Sequence, residues 1–241
     1  MTGGAAARGR PGPCGGREAE GQDARAASRL LVVADDLGYD PEIDRGILLA
    51  HQKGIVTAAS AMVDTPFSAA ALQAAPDTLA VGLHLVLPTG LGNDRSREEI
   101  ARQVERFEAL RGRPSHVDGH RHVHAAPEVL EALLPWAAAE GVRVRALSDA
   151  MRQRIRQAGA PVLEHFLGDA GLRPCWTREH LLAALAELPA GDAELMCHPG
   201  FPPTRVKTSF GAERLVELEA LCDPEARRVL GARGAALVAR L

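Results

Sequence analysis

The sequence predicts an α/β fold built on a mostly parallel sheet. Three observations predict it. Short, continuously apolar runs such as RLLVVA at residues 29–34 have the character of strands buried on both faces. Stretches of helical periodicity separate these runs in a β–α–β–α rhythm. Acidic residues and histidines able to do chemistry fall at the ends of the predicted strands, where parallel α/β folds build their active sites. With seven or eight strands, a closed barrel and an open sheet fit the pattern equally well.

The elements follow in order. Residues 1–28 are rich in Gly, Ala and Arg without periodicity, and read as a disordered leader or as the product of an upstream start codon. The remaining residues, 29–241, have room for one large domain or two small ones. After the strand at 29–34, residues 41–53 are helical through Ile43, Ile47 and Ala50, with Pro41 in the first turn. Residues 55–63 read as a strand, 68–75 as a helix closed by Pro76, and 79–87 (LAVGLHLVL) as a third strand. A charged amphipathic helix is expected over 96–110, and 114–118 leads into a histidine-rich segment. A helix over 127–140 stops at Gly141 and a strand follows at 142–147. Residues 148–176 fit no clear pattern. Thr177-Arg-Glu opens like a capped helix that runs to 188. A short strand at 194–197, helices at 211–221 and 224–231, and a last strand at 235–239 complete the chain.

Bulk composition narrows the function. Hydrophobic residues make up 46% of the 241, ample for a sizeable core. A net charge of −3 and a pI near 6.3 point to neither nucleic acid nor an anionic membrane as partner. Aromatics are scarce at 3%, which fits a high-GC coding bias. No run of eighteen apolar residues exists, so no transmembrane helix is expected. The N-terminus lacks the apolar core of a signal peptide. Cys14, Cys175, Cys197 and Cys222 show neither CxxC spacing nor a disulfide framework. A cytoplasmic, reducing setting is expected.

The densest chemistry is His116-Val-Asp118-Gly-His120-Arg-His122-Val-His124, with a metal-capable or proton-transferring group at every even position. In an extended segment those five side chains share one face. Chance clustering is the bland explanation, and the mid-chain position excludes a terminal tag. A bound metal is the simplest use, because neutral imidazole and carboxylate are its usual ligands. Asp35 and Asp36 end the first strand. His84 lies near the end of the third, and His198 follows the strand at 194–197 in a Cys-His-Pro-Gly turn. Alone, each is weak, since acidic pairs are common in loops and a histidine in an apolar strand is more often core. Together they form a set of Asp, His and His for a metal, with a spare Asp and a spare His, suited to hydrolysis. Cys197 reads as a small buried residue, and His51, His165 and His180 as surface residues.

At these residues the chain resembles the YdjC/ChbG-like carbohydrate deacetylases. The matching segments are VVADDLGYDPEIDRGILLAHQKGIVTAASAMVD (32–64), VGLHLVL (81–87), GRPSHVDGHRHVHAAPEVL (112–130), ELMCHPG (194–200) and ERLVELEALCDPEARRVL (213–230). The resemblance implies a single domain over residues 29–241, an irregular (β/α) barrel of about seven parallel strands that removes acetyl groups from N-acetylated sugars with one divalent metal. It implies Asp36, His84 and His120 as metal ligands and Asp35 as general base. His198 is the candidate acid or oxyanion stabiliser, with Asp118, His122 and His124 in supporting or substrate-facing positions. The ion implied is Mg or Zn, with Mn and Co as further options. The substrate is an N-acetylglucosamine-containing oligosaccharide or glycolipid. Relatives often pair, so a homodimer is the expected oligomer. One departure bears on substrate identity: Gly90-Leu-Gly-Asn93 leads almost directly into the following helix, where relatives carry a longer segment that walls the cleft. Two other readings compete. A catalytically weakened sugar-binding protein would not need both Asp35 and His198. A non-haem Fe(II) oxygenase shares the two-His, one-carboxylate set but usually draws it from a close His-x-Asp pair on an all-β fold.

Overall fold

The computed structural model describes residues 28–168 and 171–241, together with residues 1 and 3. Apart from these, the leader expected over 1–28 lies outside the described residues. The apolar run that opens the fold becomes β1 (Ser28–Leu37), buried from Leu30 onwards. It is longer than its apolar signature because it continues through Asp35 and Asp36. Every ladder it begins is parallel. β2 (Ala58–Ala61), β3 (Ala80–Leu85), β4 (His116–Gly119) and β5 (Arg143–Val144) extend to one side, and β7 (Gly191–Cys197) and β6 (His165–Leu167) to the other. The short β8 (Ala236–Leu237) lies beside the start of β1. The sheet therefore runs β5-β4-β3-β2-β1-β7-β6 and curls into a half-barrel. Val144 N–H donates to Pro161 C=O at 2.9 Å, tying β5 to the segment that enters β6.

Helices α1 (Pro41–Lys53), α2 (Ser68–Ala74), α3 (Asn93–Arg111), α4 (Pro127–Glu140), α5 (Asp149–Gln157), α6 (Arg178–Ala186), α7 (Glu213–Cys222) and α8 (Pro224–Arg233) alternate with the strands. Their starts are encoded locally. The side chains of Asp40, Ser148, Thr177 and Asp223 each accept an N–H from the first turn of α1, α5, α6 and α8. The stretch 148–176, unreadable in the sequence, contains α5 and β6. α5 is short and strongly charged, and it buries only Met151 and Ile155, one helical turn apart. Residues of β6 are only half-buried.

Strand alternation divides the side chains between two environments. Leu30, Val32 and Ala34 of β1 face the helices and join the main core with Ile43, Ile47, Leu83, Phe107 and Leu133. Leu31 and Val33 face the other way and form a small apolar layer with Ala58 and Ala80. Continuing that face towards the C-terminal strand ends brings Asp35, Ser60, His84, His116, Asp118, Arg143, Arg145 and Glu194, all buried. The inside of the curl is thus apolar at one end and ionic above it.

The loop after β7 is clamped between α1 and α7. Gly200 N–H donates to Arg214 C=O at 3.1 Å and Phe201 N–H to Glu42 C=O at 3.2 Å. A Cβ on Gly46 would lie 2.4 Å from Gly200 Cα, so this helix position admits only glycine against that backbone. Gly→Ala inside a helix is ordinarily stabilising. Here Gly46→Ala should instead lower the unfolding free energy by about 2 kcal/mol through overpacking, read from the urea midpoint at unchanged m-value. A stabilised variant would refute the close contact.

Candidate metal centre and catalytic cleft

Residues that alternate along a strand cannot point to one place, yet the carboxylates of Asp35 and Asp36 both reach the cleft. The β1–β2 register explains this: Ala34 pairs with Ala59 but Leu37 with Ala61, so β1 bulges by one residue. Asp36 sits at the bulge with φ 73°, a left-handed conformation that costs a non-glycine residue about 1–2 kcal/mol. Tyr39 N–H to Asp36 C=O (3.1 Å) and Met62 N–H to Leu37 C=O (2.9 Å) hold the bulge in place.

Three donors converge on one point. Asp36 Oδ1 lies 3.0 Å from His120 Nδ1 and 3.3 Å from His84 Nε2, and the ligand atoms of all three residues lie within 4.8 Å of one another. Ligands about 2.1 Å from a tetrahedral ion stand roughly 3.4 Å apart, so the set fits a divalent cation. The orientation of His84 supports this. Its Nδ1–H donates to Asp118 Oδ1 at 2.7 Å, leaving Nε2 directed at Asp36, the carboxylate–imidazole arrangement that backs metal-binding histidines. A second triple, Asp35, His84 and Asp118, is also close-set. It does not suit a cation, because the Arg145 guanidinium already occupies that position. Arg145 bonds both oxygens of Asp35 at 2.7 Å, reaches Asp118 at 2.6 Å and Glu194 at 2.5 Å.

His198, partly buried after β7, faces Asp35 with Nε2 4.0 Å from Oδ2. Its backbone N–H donates to Glu217 Oε2 at 2.7 Å, and Phe210 packs on its ring. The cleft holding these groups has a volume of about 210 Å³, and Arg121, His122, Arg173 and Arg214 also line it. Larger cavities, of about 420, 530, 680 and 710 Å³, lie elsewhere, so chemistry rather than size marks the site.

The histidine-rich segment does not remain extended. β4 ends at Gly119 and a 3₁₀ turn covers His120–Ala125, with Arg121 and His122 both left-handed. A Cβ on Gly119 would meet Val123 Cγ2 at 2.8 Å, so the turn requires glycine there. The five even positions therefore part company. His120 and His122 reach the cleft. Asp118 is buried beneath His84. His124 is fully buried outside the cleft lining, and His116 lies deeper in the curl.

Several site residues escaped the sequence reading. Arg145 had a signal: Arg143 and Arg145 alternate within an otherwise apolar strand, which places two charges on one buried face. Arg214 donates to Asp36 Oδ2 at 2.5 Å, and Glu217 holds the backbone N–H groups of His198 and Cys175. Both sit on α7, where ERLVELEAL reads as an ordinary solvated helix face. Electrostatics follow from these partners. Burial opposes ionisation of Asp36, but hydrogen bonds from His120 and His84 and the charge of Arg214 outweigh it and hold the carboxyl well below its usual range. Burial likewise works against a charged His84, yet Asp118 and Asp36 push its pKa up to about 10 in the metal-free protein. Burial drives His116 and His124 down to about 3.

A family model described as YdjC-like protein matches residues 29–96 and 92–232, two pieces that meet at the start of α3. A chitooligosaccharide deacetylase of Serratia marcescens is 31% identical, over 85% of this chain and 95% of its own. A carbohydrate deacetylase of Mus musculus is 32% identical, over 88% and 93%. A crystal structure from Enterococcus faecalis, described as a candidate cellobiose-phosphate cleavage protein, superposes with a TM-score of 0.81 at 23% identity, over 88% and 97% of the two chains. It shares the fold.

The buried histidines set a pH optimum for the metal-free protein. The pKa of His84 is raised on folding, so its stabilisation is complete below about 6.5 and is lost as pH rises towards 10. Those of His116 and His124 are lowered, so their contribution is present above about 6.5 and is lost as pH falls towards 3. Asp44, pushed up to about 7 by burial, opposes the acid limb with a single proton. Chelator-treated protein should therefore be most stable near pH 6.5. The change approaches about 1.4 kcal/mol per pH unit for each titrating group, measured by urea denaturation between pH 4 and 9. Stability that climbs steadily to pH 9 would contradict the His84 assignment.

Proposed function

Since the chain belongs to the YdjC-like family, we propose that it is a metal-dependent carbohydrate deacetylase. It hydrolyses the acetamide of an N-acetylglucosamine-containing oligosaccharide or glycolipid and releases acetate. One observation carries the reading: the donors of Asp36, His84 and His120 converge beside Asp35 and His198 in a single cleft. Its small volume suits one acetylated sugar ring rather than a long buried ligand.

A divalent ion held by these three residues would supply Lewis acidity, polarising the amide carbonyl and making water easier to deprotonate. Two imidazoles and a carboxylate favour zinc, and the same donors also accept magnesium, manganese or cobalt. Asp35 takes the proton from the attacking water, with Arg145 fixing both of its oxygens so that it cannot swing away. The water oxygen bonds to the acetyl carbon and the C–N bond breaks. His198, across the cleft from Asp35, gives a proton to the departing nitrogen, leaving acetate and a free amino sugar. His122 and Arg121 border the space where the sugar sits. Residues 29–241 act as one domain in this reading, supported by a continuous sheet in which β8 returns to β1. Among the described residues no helix is long and apolar enough to cross a membrane.

Acetate release from a panel of N-acetylated oligosaccharides and glycolipids, with and without chelator, tests the proposal. Asp35→Asn should lower kcat at least 100-fold while metal content stays at the wild-type level. Asp36→Asn should lose the metal. Wild-type turnover in Asp35→Asn would remove the base. A metal-loaded protein that releases acetate from no substrate would favour a sugar-binding role.

A further inference from the structure

His116 opens the histidine-rich segment but has no place in the cleft. Its side chain is 1% exposed, inside the curl beneath His84. The ring lies face-on to Gly82, where a Cβ would come within 2.5 Å of three ring atoms, so the strand leaves room for this imidazole only by omitting a side chain. Both ring nitrogens are engaged. Nδ1 is 2.9 Å from Ser115 Oγ and Nε2 is 2.9 Å from Ser60 Oγ. Ser60 Oγ in turn donates to Asp118 Oδ2 at 2.6 Å, and Asp118 Oδ1 accepts from His84 Nδ1 at 2.7 Å.

The polarity of this chain has one consistent solution. An ionised Asp118 only accepts, so the single proton of Ser60 is committed to it. Ser60 Oγ must then receive from His116, which places a proton on Nε2 and leaves Nδ1 to accept from Ser115. Burial, followed by the charge of Arg143, keeps His116 neutral down to about pH 3, so it retains one donor and one acceptor throughout.

We propose that His116 is a positioning residue for the metal centre: through Ser60 it fixes Asp118, and through Asp118 it fixes the imidazole of His84 with Nε2 presented to the ion. The inference rests on reading Asp36, His84 and His120 as the metal ligands. Without the His116 N–H, the Ser60 hydroxyl is free to rotate and Asp118 Oδ2 keeps only Arg145. Residues that orient a metal-bound histidine typically change affinity 10- to 100-fold when altered.

Co(II) alone is the probe, titrated into metal-free protein against a competing chelator, with its visible absorption spectrum recorded. His116→Phe, which fills the space without a donor, should weaken Co(II) binding about tenfold and shift the spectrum. Ser60→Ala should do the same, and it keeps the test valid if the bulkier change fails to fold. His116→Gln, whose amide can donate to Ser60, should recover most of the affinity and the wild-type spectrum. The double variant Ser60→Ala/His116→Phe should bind no more weakly than either single one, because both break the same chain. Wild-type affinity and spectrum in His116→Phe and Ser60→Ala, or effects that multiply in the double variant, would overturn the proposal. Asp36→Asn separates the two readings: if it binds Co(II) as tightly as wild type, the ligand assignment itself fails.

Discussion

One buried guanidinium organises the interior of this protein. The side chain of Arg145 has no exposed surface and donates to Asp35, Asp118 and Glu194, while Arg143 pairs again with Glu194. Ions removed from water are tolerated only when each is paired and fully hydrogen-bonded. Three carboxylates against two guanidiniums leave one negative charge over, beside His84. In the metal-free protein that imbalance is met by a proton on His84, and for this reason its pKa is raised. A cation between His84, His120 and Asp36 answers the same imbalance. The charge balance of the barrel interior and the suitability of its mouth for a metal are thus one fact seen from two sides.

How far the sequence discloses this varies with the range of the interaction. The strand ends were legible. Continuous apolar runs locate β1 and β3, and Asp36 and His84 sit where those strands finish; β4 has no such run, and the histidine-rich segment itself marks the place of His120. The bulge at Asp36 was not legible, because aspartate tolerates left-handed backbone without being required there, and a register shift with β2 is a property of two strands. The break in the histidine-rich segment had a local sign in Gly119, but alternation of polar groups made an extended strand the stronger pattern. Arg214 and Glu217 reach the site from a helix at the far end of the chain. Nothing in their own neighbourhood distinguishes them from surface charges, since the site groups they hold, Asp36, His198 and Cys175, are all more than ten residues away.

The cleft draws its lining from the ends of β1 and β3, the turn after β4, and the segments around Arg173, His198 and Phe210. Residues 86–93, the short link into α3, contribute nothing to it. The groups proposed to hold the metal and to move protons therefore stand on strands and on tight turns anchored to them, while the rim is left to loops. In such a design the reaction is held by the rigid part and the choice of sugar by the variable part.

α7 touches this arrangement at two points one helical turn apart. Arg214 grips Asp36, and Glu217 grips the backbone of His198 and of Cys175. The helix is in effect a ruler laid along the mouth of the barrel, fixing the spacing between the carboxylate at the end of β1 and the imidazole after β7. A residue inserted between those two positions would turn one contact by about 100° relative to the other. Among descendants of this sequence, the interval from 214 to 217 is therefore where insertions should be purged.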